Sequence, residues 1–310
     1  MSYWKQRTIL KRVGCSGVGL HSGAPARLTL APAPPDSGIR FVRTDLGIEV
    51  PARADAVVDT NLSTTLGAGA ARVATVEHVL AALTGLGIDN CRVEVDGPEV
   101  PILDGSSAPF VYLVEEGGVA LQPVGKRFLV VNQATEVRVG DRVVRLEPAR
   151  ELSLRFTADF AHPLITEQVF GFTFSDRSFA REVAPARTFC LLKDVEAMRA
   201  RGLALGGSLE NAIVVDEFSI LNPEGLRFPD EFARHKVLDA IGDLTLVGMP
   251  IIGALTARKS GHAMNQALVR KFLANPASHR VVRVSGEKEL EPLQIRLPAL
   301  TLPGAGYGLA

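Results

Sequence analysis

A chain of 310 residues is long enough for two domains of ordinary size, and 46% hydrophobic against 22% charged residues suits a full soluble core. Its 34 basic side chains balance 34 acidic ones, so no net field draws it to nucleic acid or an anionic membrane. Residues 1–7 contain no apolar signal region, and the most apolar run, about 244–257, is too short to span a bilayer and is broken by Gly248, Pro250 and Gly253. Cys15, Cys91 and Cys190 form no CxxC pair, which predicts neither a disulfide framework nor a cysteine zinc site. The expectation is a cytoplasmic, monomeric protein without membrane insertion.

Residues 8–13 and 27–31 alternate like strands on either side of a glycine-rich stretch, 14–23. Neither GxGxxG nor GxxxxGK[ST] occurs there and no helix follows, so the stretch reads as a strand-edge loop and not as a phosphate cradle. Short strands continue to about residue 73, with turns at 34–38 and 67–69. Thr75 then reads as the N-cap of a helix, with Glu77 favourable in its first turn and Gly85 as its stop. A strand over 91–95 follows, and Asp104-Gly105-Ser106-Ser107 should cap a helix over 109–116. Residues 117–125, with Pro123, are the expected boundary, giving domains 1–122 and 126–310.

The second half opens with strands over 128–131, 135–139, 143–146 and 152–156 and a turn near His162-Pro163. A short helix (193–201) and a strand (212–215) come next. Val237, Leu238, Ile241 and Leu244 recur at helical spacing, so 234–244 is a helix with one apolar face. A strand over 250–256 precedes a last long helix, 263–274, closed by Pro276. Glu77-His78-Val79-Leu80-Ala81-Ala82-Leu83 lines up with His235-Lys236-Val237-Leu238-Asp239-Ala240-Ile241, each followed by a glycine-marked turn and a strand. The predicted class is α+β: two similar domains, each a sheet packed on helices, with the helices between the two sheets.

His235 and Asp239, four apart, project from one side of their helix and can grip one divalent metal. Taken alone they fit a charged surface helix equally well. His78, in the echoed position, supplies the third ligand that a catalytic zinc site needs. Neighbouring Glu77 diverges by about 100° around the helix, which suits a base acting on water better than a ligand. His262, at a helix start that disfavours an imidazolium, needs a carboxylate to stay protonated as an acid, and Asp243 is the candidate. Its blander reading is a polar cap. His21, His162 and His279 lack such company, and His279 reads as surface. Two rival classes remain open on these residues: a ferrous oxygenase with two histidines and a carboxylate, and a non-catalytic sugar-nucleotide binder with a structural metal.

The motifs Thr75-Val76-Glu77-His78, Arg187-Thr188-Phe189, Gly206-Gly207-Ser208, Leu226-Arg227-Phe228, Glu231 to Asp239 and Lys259-Ser260-Gly261-His262 occur in order. Together they resemble the UDP-3-O-acyl-N-acetylglucosamine deacetylase family, zinc amidases of lipid A synthesis in Gram-negative bacteria, from about residue 5 to about 283. The resemblance implies zinc in the cleft between two domains, held by His78, His235 and Asp239. It implies Glu77 as base, His262 as acid, Thr188 at the developing oxyanion and Asp243 orienting His262. Lys236, Lys259, Phe160 and Asp159 fall where the family holds the nucleotide diphosphate and uracil, and Lys236 also borders the catalytic groups. The segment 191–222 is expected to form an insertion with an apolar passage for the acyl chain, faced by Leu191, Val195 and Met198, and Phe189 is expected to bind substrate. Ser63 stands where many members carry a cysteine near the metal, which implies altered inhibition by excess metal.

Overall fold

A computed structural model describes residues 4–160 and 162–300 of the chain; residues 1–3 and 301–310, the outer ends of the two expected domains, lie outside the described residues. Two five-stranded sheets share one wiring. The first runs Val13–Val18, Pro25–Pro32, Cys91–Val95, Ile39–Arg43, Ile48–Pro51. The second runs Thr135–Val139, Arg142–Glu147, Ala254–Arg258, Ser153–Ala158, Gln168–Thr173. In each, the last strand in sequence inserts at the centre, antiparallel to the second and parallel to the third. The echo between the helices is therefore one part of a repeat of the whole unit, and the class is α+β as expected.

Helices Glu77–Gly85 and Glu231–Thr245 occupy equivalent places and pack on each other. Glu231–Thr245 also lies on Ser153–Ala158 and Gln168–Thr173, while helix Ala108–Gly117 lies on Val13–Val18 and Pro25–Pro32. Every residue of Glu77–Gly85 except Thr84 is buried, as a helix enclosed on all sides requires. Gly242 explains how closely the two helices meet: a Cβ there would collide with the Glu77 carbonyl and come 2.8 Å from Glu77 Cα. One apolar core spans both halves. No helix among the described residues is long and apolar enough to cross a membrane.

Several local expectations give way to tertiary context. Thr75 does not cap its helix: it sits in the left-handed region (φ 57°) and its hydroxyl donates to Glu99 Oε1 at 2.9 Å. Gly85 is needed for packing, because the Phe179 ring occupies the place a Cβ would take. Within the glycine-rich stretch, Val13–Val18 is an edge strand. The stretch expected to hold the boundary contains a strand, Val119–Gly125, antiparallel to Lys5–Ile9. The strand expected over 250–256 breaks at Gly253, where a Cβ would come 2.5 Å from Val131 Cγ2, and its two parts join different sheets. His279 is not a surface residue: it begins strand His279–Arg283, half-buried, with its ring 5.0 Å from that of Phe272.

Candidate active site

The apolar face of Glu231–Thr245 goes into the core, with Val237, Leu238, Ile241 and Leu244 all buried. This turns His235, Asp239 and Asp243 toward the first turn of Glu77–Gly85. The beginning of the longer helix is anchored by Glu231, which is wholly buried and accepts from the amides of Arg187 (3.0 Å) and Arg227 (2.6 Å) and from Arg187 Nε (3.0 Å). A carboxylate at this end also suits the helix dipole. The same anchor holds residues 186–188 beside the site, where the Ala186 carbonyl accepts from His235 Nδ1 at 3.0 Å. That bond leaves Nε2 of His235 as the free lone pair, directed at the site.

Atoms of His78, His235 and Asp239 converge, with one ligand atom from each lying within 4.8 Å of the others. Asp239 Oδ1 is 3.3 Å from His235 Nε2 and 3.7 Å from His78 Nε2. Tetrahedral ligands at zinc distances stand about 3.3 Å apart, so these separations fit. All three residues are nearly inaccessible, and Asp239 Oδ1 has no hydrogen-bond partner. A buried carboxylate oxygen left without a donor matches a cation as its missing partner. Burial, reinforced by His235, pushes the His78 imidazole down to about 3, and burial likewise lowers His235. Both rings are therefore neutral at ordinary pH, the form in which an imidazole can bind a metal. Burial would raise the Asp239 carboxyl, but His235 and Lys236 hold it far below the usual carboxylate range.

Next to this group, His262 Nε2 lies 3.9 Å from both Glu77 Oε1 and Asp239 Oδ2. Its Nδ1 donates to Asp243 Oδ2 at 3.0 Å. Asp243 is wholly buried and also accepts from Asn265 Nδ2 (2.8 Å) and from the Thr64 hydroxyl (2.6 Å). Burial opposes charge on His262, yet Asp243, and after it Glu77, raise the imidazole to about 10. Burial raises Glu77 to about 7, with His262 pulling the other way. The Thr64 amide donates to Glu77 Oε2 at 3.0 Å, so one residue steadies both Glu77 and the carboxylate that holds His262. The site thus offers a metal cradle, a carboxylate poised to take a proton and an imidazolium poised to give one.

The family model for UDP-3-O-acyl N-acetylglycosamine deacetylase matches residues 6–274. The chain belongs to this family. It is 70% identical to the UDP-3-O-acyl-N-acetylglucosamine deacetylase of Anaeromyxobacter dehalogenans, over 97% of this chain and 98% of that protein. It is 67% identical to that of Anaeromyxobacter sp. strain Fw109-5, over 96% and 99% of the two chains, and 56% identical to that of Myxococcus xanthus, over 96% of each.

Other residues singled out for this family divide by position. Thr188, Phe189 and Lys236 line a cavity of about 320 Å³ together with Glu77, His78, His235, Asp239 and His262. Lys236 Nζ donates to Asp239 Oδ2 at 2.8 Å and lies 5.4 Å from the Phe189 ring centre. Phe189 also stacks edge-on with Phe160 at 5.3 Å and His235 at 6.1 Å. Lys259 is outside the cavity lining and pairs with Asp141 (2.8 Å) and Asp159 (3.0 Å). Val195 and Met198 are half-buried along one face of helix Leu192–Ala200, none of which is fully buried, while Leu191, also half-buried, ends the strand Phe189–Leu191 with extended backbone and does not join the helix face. Ser63 is buried directly before Thr64. A second hollow of about 230 Å³, lined by Ile88, Phe128, Ile241, Leu244 and Met249 among others, lies at the far ends of the same two helices and contains none of the site residues.

Sequence reasoning missed Thr64, Asn265 and Arg142, the last a member of the cavity lining, and named Arg187 and Glu231 only within motifs, without their role as the anchor of the helix. Asn265 was within reach, since it follows His262 by three residues on one helix face. Thr64 and Arg142 come from strand ends far away in sequence and carry no local signal.

Proposed function

We propose that the chain hydrolyses the N-acetyl group of UDP-3-O-acyl-N-acetylglucosamine to a free amine and acetate, the committed step of lipid A biosynthesis. It does so as a cytoplasmic monomer holding one catalytic zinc ion. The observation that carries this reading is the buried triad His78, His235 and Asp239 with an unpartnered oxygen, set beside a Glu77–His262 pair of opposite proton habits. Zinc, when bound by these three residues, supplies a Lewis acid and lowers the pKa of bound water to about 7.

The chain's own groups manage the protons. Glu77, steadied by the Thr64 amide, accepts one from the attacking water. Thr188 donates its hydroxyl to the acetamide oxygen as negative charge develops there. His262, kept protonated by Asp243, then hands its proton to the departing nitrogen. Each proton transfer is worth about 10²–10⁴ in rate. An oxygenase site would leave this acid–base pair without a task, which favours hydrolysis over that rival. Lys236, Lys259, Asp159 and Phe160 are assigned to the nucleotide end of the substrate. Leu191, Val195 and Met198 are assigned to the acyl chain, within the insertion 191–222, and Phe189, just before it, is assigned to substrate contact. Domain 1–122 contributes Glu77 and His78, and domain 126–310 the remaining catalytic groups.

The test is acetate release from acylated UDP-N-acetylglucosamine by the purified protein. Release should stop when a chelator removes the metal and return when zinc is restored. Binding of the sugar nucleotide without acetate release would make the protein a binding module and refute the proposal.

A further inference from the structure

Glu99 is 3% exposed and makes no ion pair among the described residues. Its Oε1 accepts from the His21 amide at 2.8 Å and the Thr75 hydroxyl at 2.9 Å, and its Oε2 from the Ser22 amide at 2.8 Å. Only a carboxylate offers two accepting oxygens and no donor at this spot. The backbone is shaped around it: a Cβ on Gly19 would collide with Glu99 Oε2.

The three donors lead in two directions. Thr75 lines the active-site cavity in a left-handed conformation, two residues before Glu77 and three before His78. A non-glycine residue persists in that conformation only when its surroundings hold it there. His21 and Ser22 belong to the tight loop 19–23, in which Gly23 N–H donates to the Gly19 carbonyl at 3.0 Å and Leu20 faces the same cavity. On this loop rests the segment that follows helix Leu192–Ala200. Leu205 N–H donates to the His21 carbonyl (3.1 Å) and Gly206 N–H to the Leu20 carbonyl (3.0 Å). Gly206 lies so close that a Cβ would collide with the Gly19 carbonyl.

We infer that Glu99 is a positioning residue that determines acyl-chain selectivity, because it locks loop 19–23 and, through it, the insertion at 203–207 to the start of the catalytic helix. The inference rests on the reading of 191–222 as the acyl passage. Glu99 touches no substrate; it fixes the distance between the wall of the passage and the metal group.

Glu99→Gln is the decisive variant. An amide keeps one acceptor and turns an N–H toward the Ser22 amide, which frees the loop on that side while leaving a group of the same size. Steady-state kinetics should be measured with a long-acyl substrate and with UDP-N-acetylglucosamine lacking the acyl chain, alongside zinc content. KM for the long-acyl substrate should rise about tenfold, the effect expected for one lost hydrogen bond to a charged group. For the substrate lacking the acyl chain, kcat/KM should stay within about twofold, with zinc retained. Gly206→Ala, which leaves Glu99 intact and parts the same contact from the other side, should reproduce the acyl-dependent loss. Equal losses for both substrates, no loss for either, or failure of both variants to fold would overturn the inference and leave Glu99 a core group only. Failure of the unsubstituted enzyme to release acetate from either substrate would instead overturn the functional reading beneath it.

Discussion

Asp243→Asn isolates the charge behind the acid with little change in shape. Three donors meet the carboxylate: Thr64 at Oδ1, and His262 and Asn265 at Oδ2. An asparagine with its oxygen at the Oδ2 position keeps the last two, and the Thr64 hydroxyl can rotate to accept from the new Nδ2. What disappears is a negative charge 3.0 Å from His262 Nδ1. Near an effective dielectric of 20 such a charge is worth about 4 kcal/mol at 4 Å, or roughly three pH units. The carboxylate favours the imidazolium, so its removal lowers the pKa of His262, from about 10 toward roughly 7. The proposed mechanism requires Glu77 ionised and His262 protonated, so the alkaline limb of kcat/KM should move down by that amount. Asp243 also contributes to raising Glu77, so the acidic limb should move down slightly as well. At pH 8.5 about one imidazole in thirty would remain protonated, a roughly thirtyfold loss. Below about pH 6.5 the variant should approach the parent rate. The assay is acetate release across pH 5.5–10, with zinc content measured in parallel. A loss by the same factor at every pH, or an unmoved alkaline limb, would refute the assignment of His262 as the acid held by Asp243.

Glu77→Ala should retain zinc and lose about 10²–10⁴ in kcat, whereas Asp239→Ala should lose zinc as well; metal analysis of the two variants decides, and a metal-free Glu77→Ala protein would show base and ligand to be confused. Gly242→Ala should remain folded at a cost of about 1–3 kcal/mol from overpacking, yet lose on the order of a hundredfold in kcat by displacing Glu77. Gly286→Ala, where no atom lies within 4 Å, is its silent control. Val195→Asp or Met198→Trp should weaken long-acyl substrates, each sheltered methylene being worth about 0.8 kcal/mol, and spare a substrate without the acyl chain. Since helix Leu192–Ala200 has no fully buried residue, the melting temperature should barely move; a clear drop with equal losses on both substrates would make the segment structural.

Much of the site was legible because its chemistry is local. His235 and Asp239 share a helix face by spacing alone, Glu77 and His78 are adjacent, and the periodicity of Val237, Leu238, Ile241 and Leu244 marks which side is buried. The echo between the two helices, together with the ordered motifs, was enough to anticipate two similar α+β halves and the convergence of His78, His235 and Asp239 between them. What spacing could not reveal were contacts whose partners lie far apart in the chain. Thr64 reaches Asp243 across 179 positions and Glu231 holds Arg187 across 44. Thr75 looked like a helix cap, because Ser, Thr, Asp and Asn favour that place, but Glu99 claims its hydroxyl and the backbone turns left-handed. Gly85 and Gly253 looked like punctuation and are contact points for Phe179 and Val131. His279 has no local pattern of burial; its strand is defined by pairing with Arg127–Val131. Helix faces follow from a period that any stretch of sequence displays, whereas strand partners, close glycine contacts and the Thr64 hydroxyl on Asp243 exist only once distant segments have met.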